Sequence, residues 1–346
     1  MNEHASAIRE IGFGVVGLGF MGKTHAAALS NIPGTTFAAV VDRDPARLTG
    51  VVDEGGNLET GAGEMVFDPS EVAVFSTIDA MLAGSDLELV VVTTPTPTHV
   101  EIAASLISAG LNVLIEKPVS LDVASIQRLE TLAKNRGVIA MPAHCMRFWP
   151  AWSWMHERIR DATYGSVVSA SFIRTGAAPF WNPDFYLDPS KSGGAIVDLH
   201  IHDTDFVIHS FGMPDAVSST GSRSQVRTEY LFDDGPAVEA IGGWLEDPDA
   251  PFTMTAEIEF EEGTISFSLG REPEILVTRS GGATIEHPEA SVGGTGYDVQ
   301  ARACIDAVRS GDGIPPISLG EAVRTGRVLD LEIESLESGG EPLSAR

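Results

Sequence analysis

GVVGLGFMGKTH, Gly14 to His25, spaces three glycines as Gly17-x-Gly19-x-x-Gly22 directly after an apolar run. Taken alone such a triplet is a weak sign. Its surroundings strengthen it. Ile11–Val16 reads as a buried strand, Met21–Ser30 as a helix and Phe37–Val41 as a second strand. Asp42 closes that strand, about 20 residues beyond the last glycine. Glycine serves the tight turn, the close approach of backbone N–H groups to a diphosphate, and helix–strand packing. The helix start adds partial positive charge. The stretch Gly17, Gly19, Phe20, Met21 and Gly22 is therefore expected to bind a dinucleotide.

Asp42 can accept hydrogen bonds from the adenosine ribose, which favours NAD over a 2′-phosphorylated cofactor. Arg43 beside it can stack on adenine, pair with a 2′-phosphate, or simply end a turn. NAD is the first expectation and NADP the second. Asp44-Pro45 has the form of a helix cap followed by a first-turn proline. Further strands are expected at Leu89–Thr93, Asn112–Ile115 and Val138–Met141, with helices at His99–Ala109 and Asp122–Asn135. Strands alternating with helices imply a parallel sheet covered on both faces. Gly55–Val72 is glycine-rich and reads as a loop or short insertion.

The pattern changes after about Pro150. Val167–Arg174, Val238–Trp244, Thr253–Phe260 and Thr264–Leu269 alternate as strands of an antiparallel sheet. Gly194–Phe211, Asp298–Ser310 and Gly320–Leu336 read as helices. The expected fold class is α/β. A Rossmann domain over residues 1–143 precedes an α+β domain over 144–346 with an open, mostly antiparallel sheet.

Length and composition agree with two domains: 346 residues, 43% hydrophobic. No apolar run approaches the roughly 18 residues of a membrane span, and MNEHASAIREIG does not resemble a secretion signal. Two distant cysteines, Cys145 and Cys304, argue against a disulfide framework or a cysteine-built metal site and suit a reducing cytoplasm. A net charge of −27, with lysine only at 23, 117, 134 and 191, disfavours nucleic acid and anionic membrane as partners. The acidity reads as a solvated surface; adaptation to high salt is the sharper alternative.

A second stretch carries the chemistry. GGAIVDLHIHDTD, Gly193 to Asp205, sets two histidines and three aspartates in an apolar run. As one continuous helix it would place Asp198, His202, Asp205 and His209 within about 60° of one another, with His200 and Asp203 on the far side. That stripe admits three readings: a metal site, a solvated face, or a proton-transfer pair. No third histidine or cysteine with ligand spacing lies nearby, and dense apolar flanks disfavour a solvated face. Histidine suits a base that takes the proton of a secondary alcohol, and an aspartate one turn earlier can orient it. Glu116-Lys117-Pro118 follows the strand Asn112–Ile115, which puts Lys117 at the carboxyl end of a parallel strand. A cation there can stabilise a developing alkoxide, or merely close the strand. Arg174 and Phe180-Trp181-Asn182 can line a sugar pocket or pack internally.

The glycine loop, Asp42-Arg43, Thr94-Pro95 with His99, Glu116-Lys117-Pro118, the GG-x-x-x-D-x-x-x-H-D-x-D segment and Gly296-Tyr297 together resemble the glucose–fructose oxidoreductase/inositol dehydrogenase (Gfo/Idh/MocA) family. The resemblance spans nearly the whole chain. It implies Lys117, Asp198 and His202 as a catalytic trio, with His202 as acid/base and no metal. It implies cofactor contacts at Thr94, Pro95, His99, Glu116 and Lys117. It implies substrate contacts at Lys117, Asp198, His202 and Asp205; Arg174 and Trp181 join them as candidates from residue type alone. The expected activity is NAD(P)-dependent hydride transfer at a secondary hydroxyl of a sugar, cyclitol or related polyol, in a cytoplasmic homodimer or homotetramer. The alternatives are a relative that recycles its cofactor while cleaving glycosides or eliminating water, and a non-catalytic sugar or dinucleotide sensor.

Overall fold

Strands buried on both faces must be apolar along their whole length, and strands with one wet face must alternate. The chain contains one sheet of each kind. The computed structural model describes residues 8–51, 66–279, 282–286 and 294–346. Most of Gly55–Val72 lies outside the described residues. Contacts divide the chain into two compact units. The first comprises 1–120, 124–143 and 297–320; the second comprises 121–123, 144–296 and 321–346. Residues 297–320, assigned from sequence to the second domain, pack in the first unit instead. A helix that follows a long sheet in sequence carries no local mark of which core it will cover.

The first unit holds six strands: β1 (Ile11–Val16), β2 (Thr35–Val41), β3 (Ala73–Phe75), β4 (Leu89–Val92), β5 (Asn112–Ile115) and β6 (Ala140–Pro142). All pair in parallel, in the order β3-β2-β1-β4-β5-β6. Every residue of β4 is buried, as are five of the six in β1. Helices α1 (Phe20–Ser30), α2 (Ile78–Gly84), α3 (His99–Ser108) and α4 (Val123–Arg136) belong to the alternating series. β3 and α2 are additions to the sequence expectation; β3 is a three-residue edge strand that is mostly exposed, too short to show a period. Asp44-Pro45 leads only into one 3₁₀ turn, Arg47–Thr49, stopped by Gly50 at φ 86°. After β3 the chain crosses back to place β4 on the other side of β1, so strand order switches between β1 and β4 and the loops after those two strands share one crevice.

The second unit is a nine-stranded sheet. Its strands are β7 (Val167–Ala177), β8 (Ala216–Gly221), β9 (Gln225–Leu231), β10 (Ala237–Leu245), β11 (Thr253–Phe260), β12 (Gly263–Ser268), β13 (Ile275–Arg279), β14 (Gly282–Glu286) and β15 (Leu343–Ser344). Their order is β14-β13-β12-β11-β7-β10-β9-β8-β15, antiparallel except for β7 with β10. Alternation is strict in β9, where Val226, Thr228 and Tyr230 are buried and the residues between them exposed. α5 (Pro150–Arg160), three single-turn helices α6 (Pro183–Tyr186), α7 (Pro189–Ser192) and α8 (Ala195–Asp198), and α9 (Ile201–Phe211) follow in chain order. α9 packs on α5 and β10. The chain closes with α10 (Gly296–Ser310) and α11 (Leu319–Glu337).

Aromatic rings fill the space beneath α9. Phe206 meets Trp152 edge-on at 4.7 Å and Phe172 at 5.5 Å, and Trp152 also meets Phe267 at 5.8 Å. All four are essentially inaccessible to solvent. Phe206→Ala removes the ring at the centre of this cluster and is expected to cost about 3–5 kcal/mol. A urea titration with unchanged slope and a lower midpoint is the expected result; an unchanged midpoint would show that the cluster collapses to fill the hole.

Candidate active site

In the first unit the glycine loop meets its steric requirements. Gly17 adopts φ +93°, and a Cβ there would lie 2.9 Å from the carbonyl carbon of Thr93 and the backbone nitrogen of Thr94. A Cβ on Gly22 would lie 2.2 Å from the Gly17 oxygen. Thr93 ties the two loops by donating its hydroxyl to the Gly17 carbonyl at 2.5 Å. Gly19 caps α1 without a side-chain acceptor, and no acidic residue occupies the first turn. Gly19, Phe20 and Met21 are part-exposed. No acidic side chain of the first turn competes for the leading N–H groups of α1. This donor set fits a dinucleotide diphosphate.

Asp42 is buried and already engaged. It accepts from the Leu18 N–H at 2.7 Å and the Asp44 N–H at 2.8 Å, and Arg47 stands 3.5 Å away. The carboxylate therefore shapes the glycine loop from the end of β2. Arg43 is exposed. Arg47, not singled out in the sequence, is the guanidinium that reaches Asp42.

Glu116 and His99 organise the loop after β5. His25 and Glu116 share a 2.8 Å hydrogen bond, and Glu116 accepts from the Lys117 N–H at 3.0 Å. Burial alone would raise the Glu116 carboxyl, but His25, Lys117 and His99 hold it below the ordinary value. His99 contacts the backbone oxygens of Thr94 and Pro118. Among Val113–Val119 every residue is buried except Lys117. The pattern is what a ligand-facing cation on a packed strand end requires.

In the second unit the predicted single helix Gly194–Phe211 is interrupted. The His200 N–H reaches back to the Ala195 carbonyl, skipping the usual acceptor, and α9 begins at Ile201. The single polar stripe drawn for one helix therefore does not exist. Asp205 is fully buried and forked by Arg147 at 2.8 Å through two bonds, with Thr325 donating at 3.0 Å. Arg147 also reaches Glu321 at 2.5 Å. Burial opposes the Asp205 charge, yet His144, Arg147 and Thr325 hold its carboxyl well below the usual range. Asp203 is buried too, forked by Arg174 at 2.9 Å through two bonds. Arg174 further touches the Met254 sulfur and lies over the Trp152 ring. Arg174 and Asp205, expected at the substrate, are consumed by these internal pairs. His209 stacks on His156 at 3.9 Å between ring centres.

What remains after this pairing is informative. Every residue from Ser192 to Ile208 is buried except Asp198 and His202. Trp181 is exposed at the tip of its segment, edge-on to Tyr186 at 5.8 Å. Behind His202, His200 faces Glu332 at 3.4 Å, and Thr204 donates to Glu332 at 3.0 Å. Glu321 and Glu332 escaped the sequence reading because their partners lie far away in the chain; no local spacing marks them. Among the described residues, no group of three or more histidine, cysteine, aspartate or glutamate side chains could hold a metal ion. Likewise, no helix there is long and apolar enough to cross a membrane. Cys145 and Cys304 are buried free thiols, and burial pushes the Cys304 thiol up to about 12.

Residues 11–144 match the family model described as "Oxidoreductase family, NAD-binding Rossmann fold", and residues 152–269 match the "GFO/IDH/MocA C-terminal domain". Inositol 2-dehydrogenase of Rhizobium meliloti is 29% identical over 223 residues, 64% of this chain and 61% of that protein. The chain thus spans about three-fifths of that relative's length. D-xylose 1-dehydrogenase (NADP(+)) 2 of Haloferax volcanii is 23% identical over 340 residues, 94% of this chain and 98% of that protein. Levoglucosan dehydrogenase, solved with NADH and levoglucosan, superposes with a TM-score of 0.80 at 18% identity, covering 97% of this chain and 99% of that one. That last likeness is one of fold.

Two predictions follow from the buried charges. Arg174→Ala leaves Asp203 buried and unpaired, so it is expected to lose about 3–5 kcal/mol of stability; a stable variant altered only in substrate KM would return Arg174 to the pocket. The second concerns pH. Burial pushes His200 and His209 down to about 4 from an ordinary 6.5, and pushes Glu332 up to about 8 from 4.5. Between 4 and 6.5 the unfolded chain binds the histidine protons more readily, so stability falls as pH drops through that window. Between 4.5 and 8 the folded chain holds the Glu332 proton, so stability falls as pH rises. The urea midpoint should therefore peak near pH 6.5, and Glu332→Gln should flatten the alkaline side. A variant that keeps the same alkaline decline would place that proton elsewhere.

Proposed function

The chain belongs to the Gfo/Idh/MocA oxidoreductase family, and from that premise we propose that it moves a hydride between a nicotinamide dinucleotide and a secondary hydroxyl of a sugar, cyclitol or related polyol. The observation that carries the reading is selective emergence. Lys117, Asp198 and His202 are the side chains that come out of two otherwise buried runs. A polar residue kept at the surface of such a run has no packing role to explain it.

When bound, the nicotinamide accepts or supplies the hydride. The chain does the rest. The α1 N-terminus and the glycine loop hold the diphosphate, with Asp42 fixing the loop through the Leu18 N–H. Asp42 beside the ribose position favours NAD; Arg43 and Arg47 keep NADP as the second cofactor. Lys117 polarises the substrate oxygen, which makes its proton easier to remove. The His202 imidazole takes or returns that proton, and Asp198 positions it. Trp181 offers an aromatic face to a sugar ring. Two buried free thiols and a sheet that alternates between a packed and an exposed face support a cytoplasmic homo-oligomer.

General acid–base catalysis contributes about 10²–10⁴-fold. His202→Ala is expected to lose turnover by that order in a panel of polyols and sugars followed at the reduced nicotinamide band. NAD binding, read by calorimetry, should persist. Near-normal turnover in the variant would remove His202 from the chemistry.

A further inference from the structure

His99 is the first residue of α3 and is 1% exposed. One ring nitrogen, Nδ1, lies 2.9 Å from the Pro118 oxygen, and the other, Nε2, lies 2.6 Å from the Thr94 oxygen. Both partners are backbone carbonyls, which only accept hydrogen bonds. A neutral imidazole has one N–H and one lone pair, so it can serve one carbonyl and repels the other. At 2.6 Å a lone pair facing a carbonyl oxygen is untenable. The two contacts together require two N–H groups, the cationic ring.

Those carbonyls belong to different loops. Thr94 follows β4, in the segment expected to meet the cofactor. Pro118 follows Lys117 directly. We propose that His99 is a positioning residue, a proton-operated clamp that holds the Lys117 segment against the Thr94 segment only while its ring carries both protons. The consequence for turnover rests on the dehydrogenase reading above; the clamp itself does not.

The balance of forces makes this a switch. Burial lowers the ring's proton affinity below the ordinary histidine value, opposed by the two carbonyls and the Glu116 charge and aided by Lys117. Glu116 is in turn bonded to His25 of α1. A depressed value means that the second proton leaves as pH rises. One carbonyl then loses its donor, and the loop it belongs to is released. The clamp is closed on the acid side and open on the alkaline side.

The test uses the full chain labelled with 15N at histidine and 13C at lysine. His99 is assigned by the signal missing in His99→Asn, or in His99→Gln should the first variant not fold. At the acid end of the range over which the chain stays folded both His99 ring nitrogens are expected as hydrogen-bonded N–H, and at the alkaline end one is expected bare. The Lys117 13Cε resonance should shift with the same midpoint, and should lose that transition in the variant. Turnover should carry a component that falls about tenfold through this midpoint, the worth of one hydrogen bond, and the variant should lose that component while keeping the pH dependence that belongs to His202. A bare nitrogen at the acid end, or two protons retained at both ends, overturns the switch. A Lys117 resonance indifferent to the His99 midpoint overturns the coupling. If no substrate turns over, the resonances still decide the clamp, and only the dehydrogenase reading fails.

Discussion

Two guanidinium–carboxylate forks, Arg147 with Asp205 and Arg174 with Asp203, determine how the second unit can be arranged. A carboxylate buried without a partner costs several kcal/mol, and a fork of two parallel hydrogen bonds to a guanidinium offsets that cost best. Asp203 and Asp205 both sit on α9 and are both buried. Each must be met by an arginine from elsewhere: Arg174 from β7, Arg147 from the turn before α5. With both sides of α9 tied in this way, its rotation is fixed. His202 is then the residue of its first turns that reaches solvent, and Asp198 the one that does so from α8. The site in this unit is thus set by charges that never touch a substrate.

The first unit solves a different problem. Its six strands carry no charged residue, so orientation cannot come from buried ion pairs along the strands. It comes from the loops at their carboxyl ends, which are stitched to each other. Thr93 donates to Gly17, Asp42 accepts from Leu18, Glu116 bonds His25, and His99 spans Thr94 and Pro118. Each of these side chains holds a neighbouring loop's backbone or side chain in place. Glycine at positions 17 and 22 is what lets those loops approach closely enough to be joined. Loop precision of this order is what a diphosphate and a reacting ring demand, since small misplacements cost large factors in rate.

The two units also differ in how their polar groups respond to pH. His200, Thr204, Tyr230 and Glu332 form a buried network under α9 in which desolvation governs every ionisable member: it depresses His200 and raises Tyr230 and Glu332. All three shifts favour neutral forms. The network therefore holds α9 on the sheet by hydrogen bonds without adding charge beside the two forks. In the first unit the charged members keep close partners, which is why Glu116 stays below its ordinary value despite complete burial.

The chain's own order of residues determined the alternating architecture and the glycine loop with Asp42, because each depends on contacts within a few residues or on a period of two or of 3.6. Which side chains emerge from the buried runs, Lys117 from one and Asp198 and His202 from the other, follows from how those runs pack. The edge strand β3 was too short for any period to register. The interruption before α9 was hidden because Leu199 and His200 carry no breaker residue. The fates of Arg174, Asp205 and Glu332, and the return of residues 297–320 to the first unit, were decided only in three dimensions. A buried charge is defined by a partner that can lie 58 residues away, as Arg147 does from Asp205, and separation of that kind leaves no trace in local spacing.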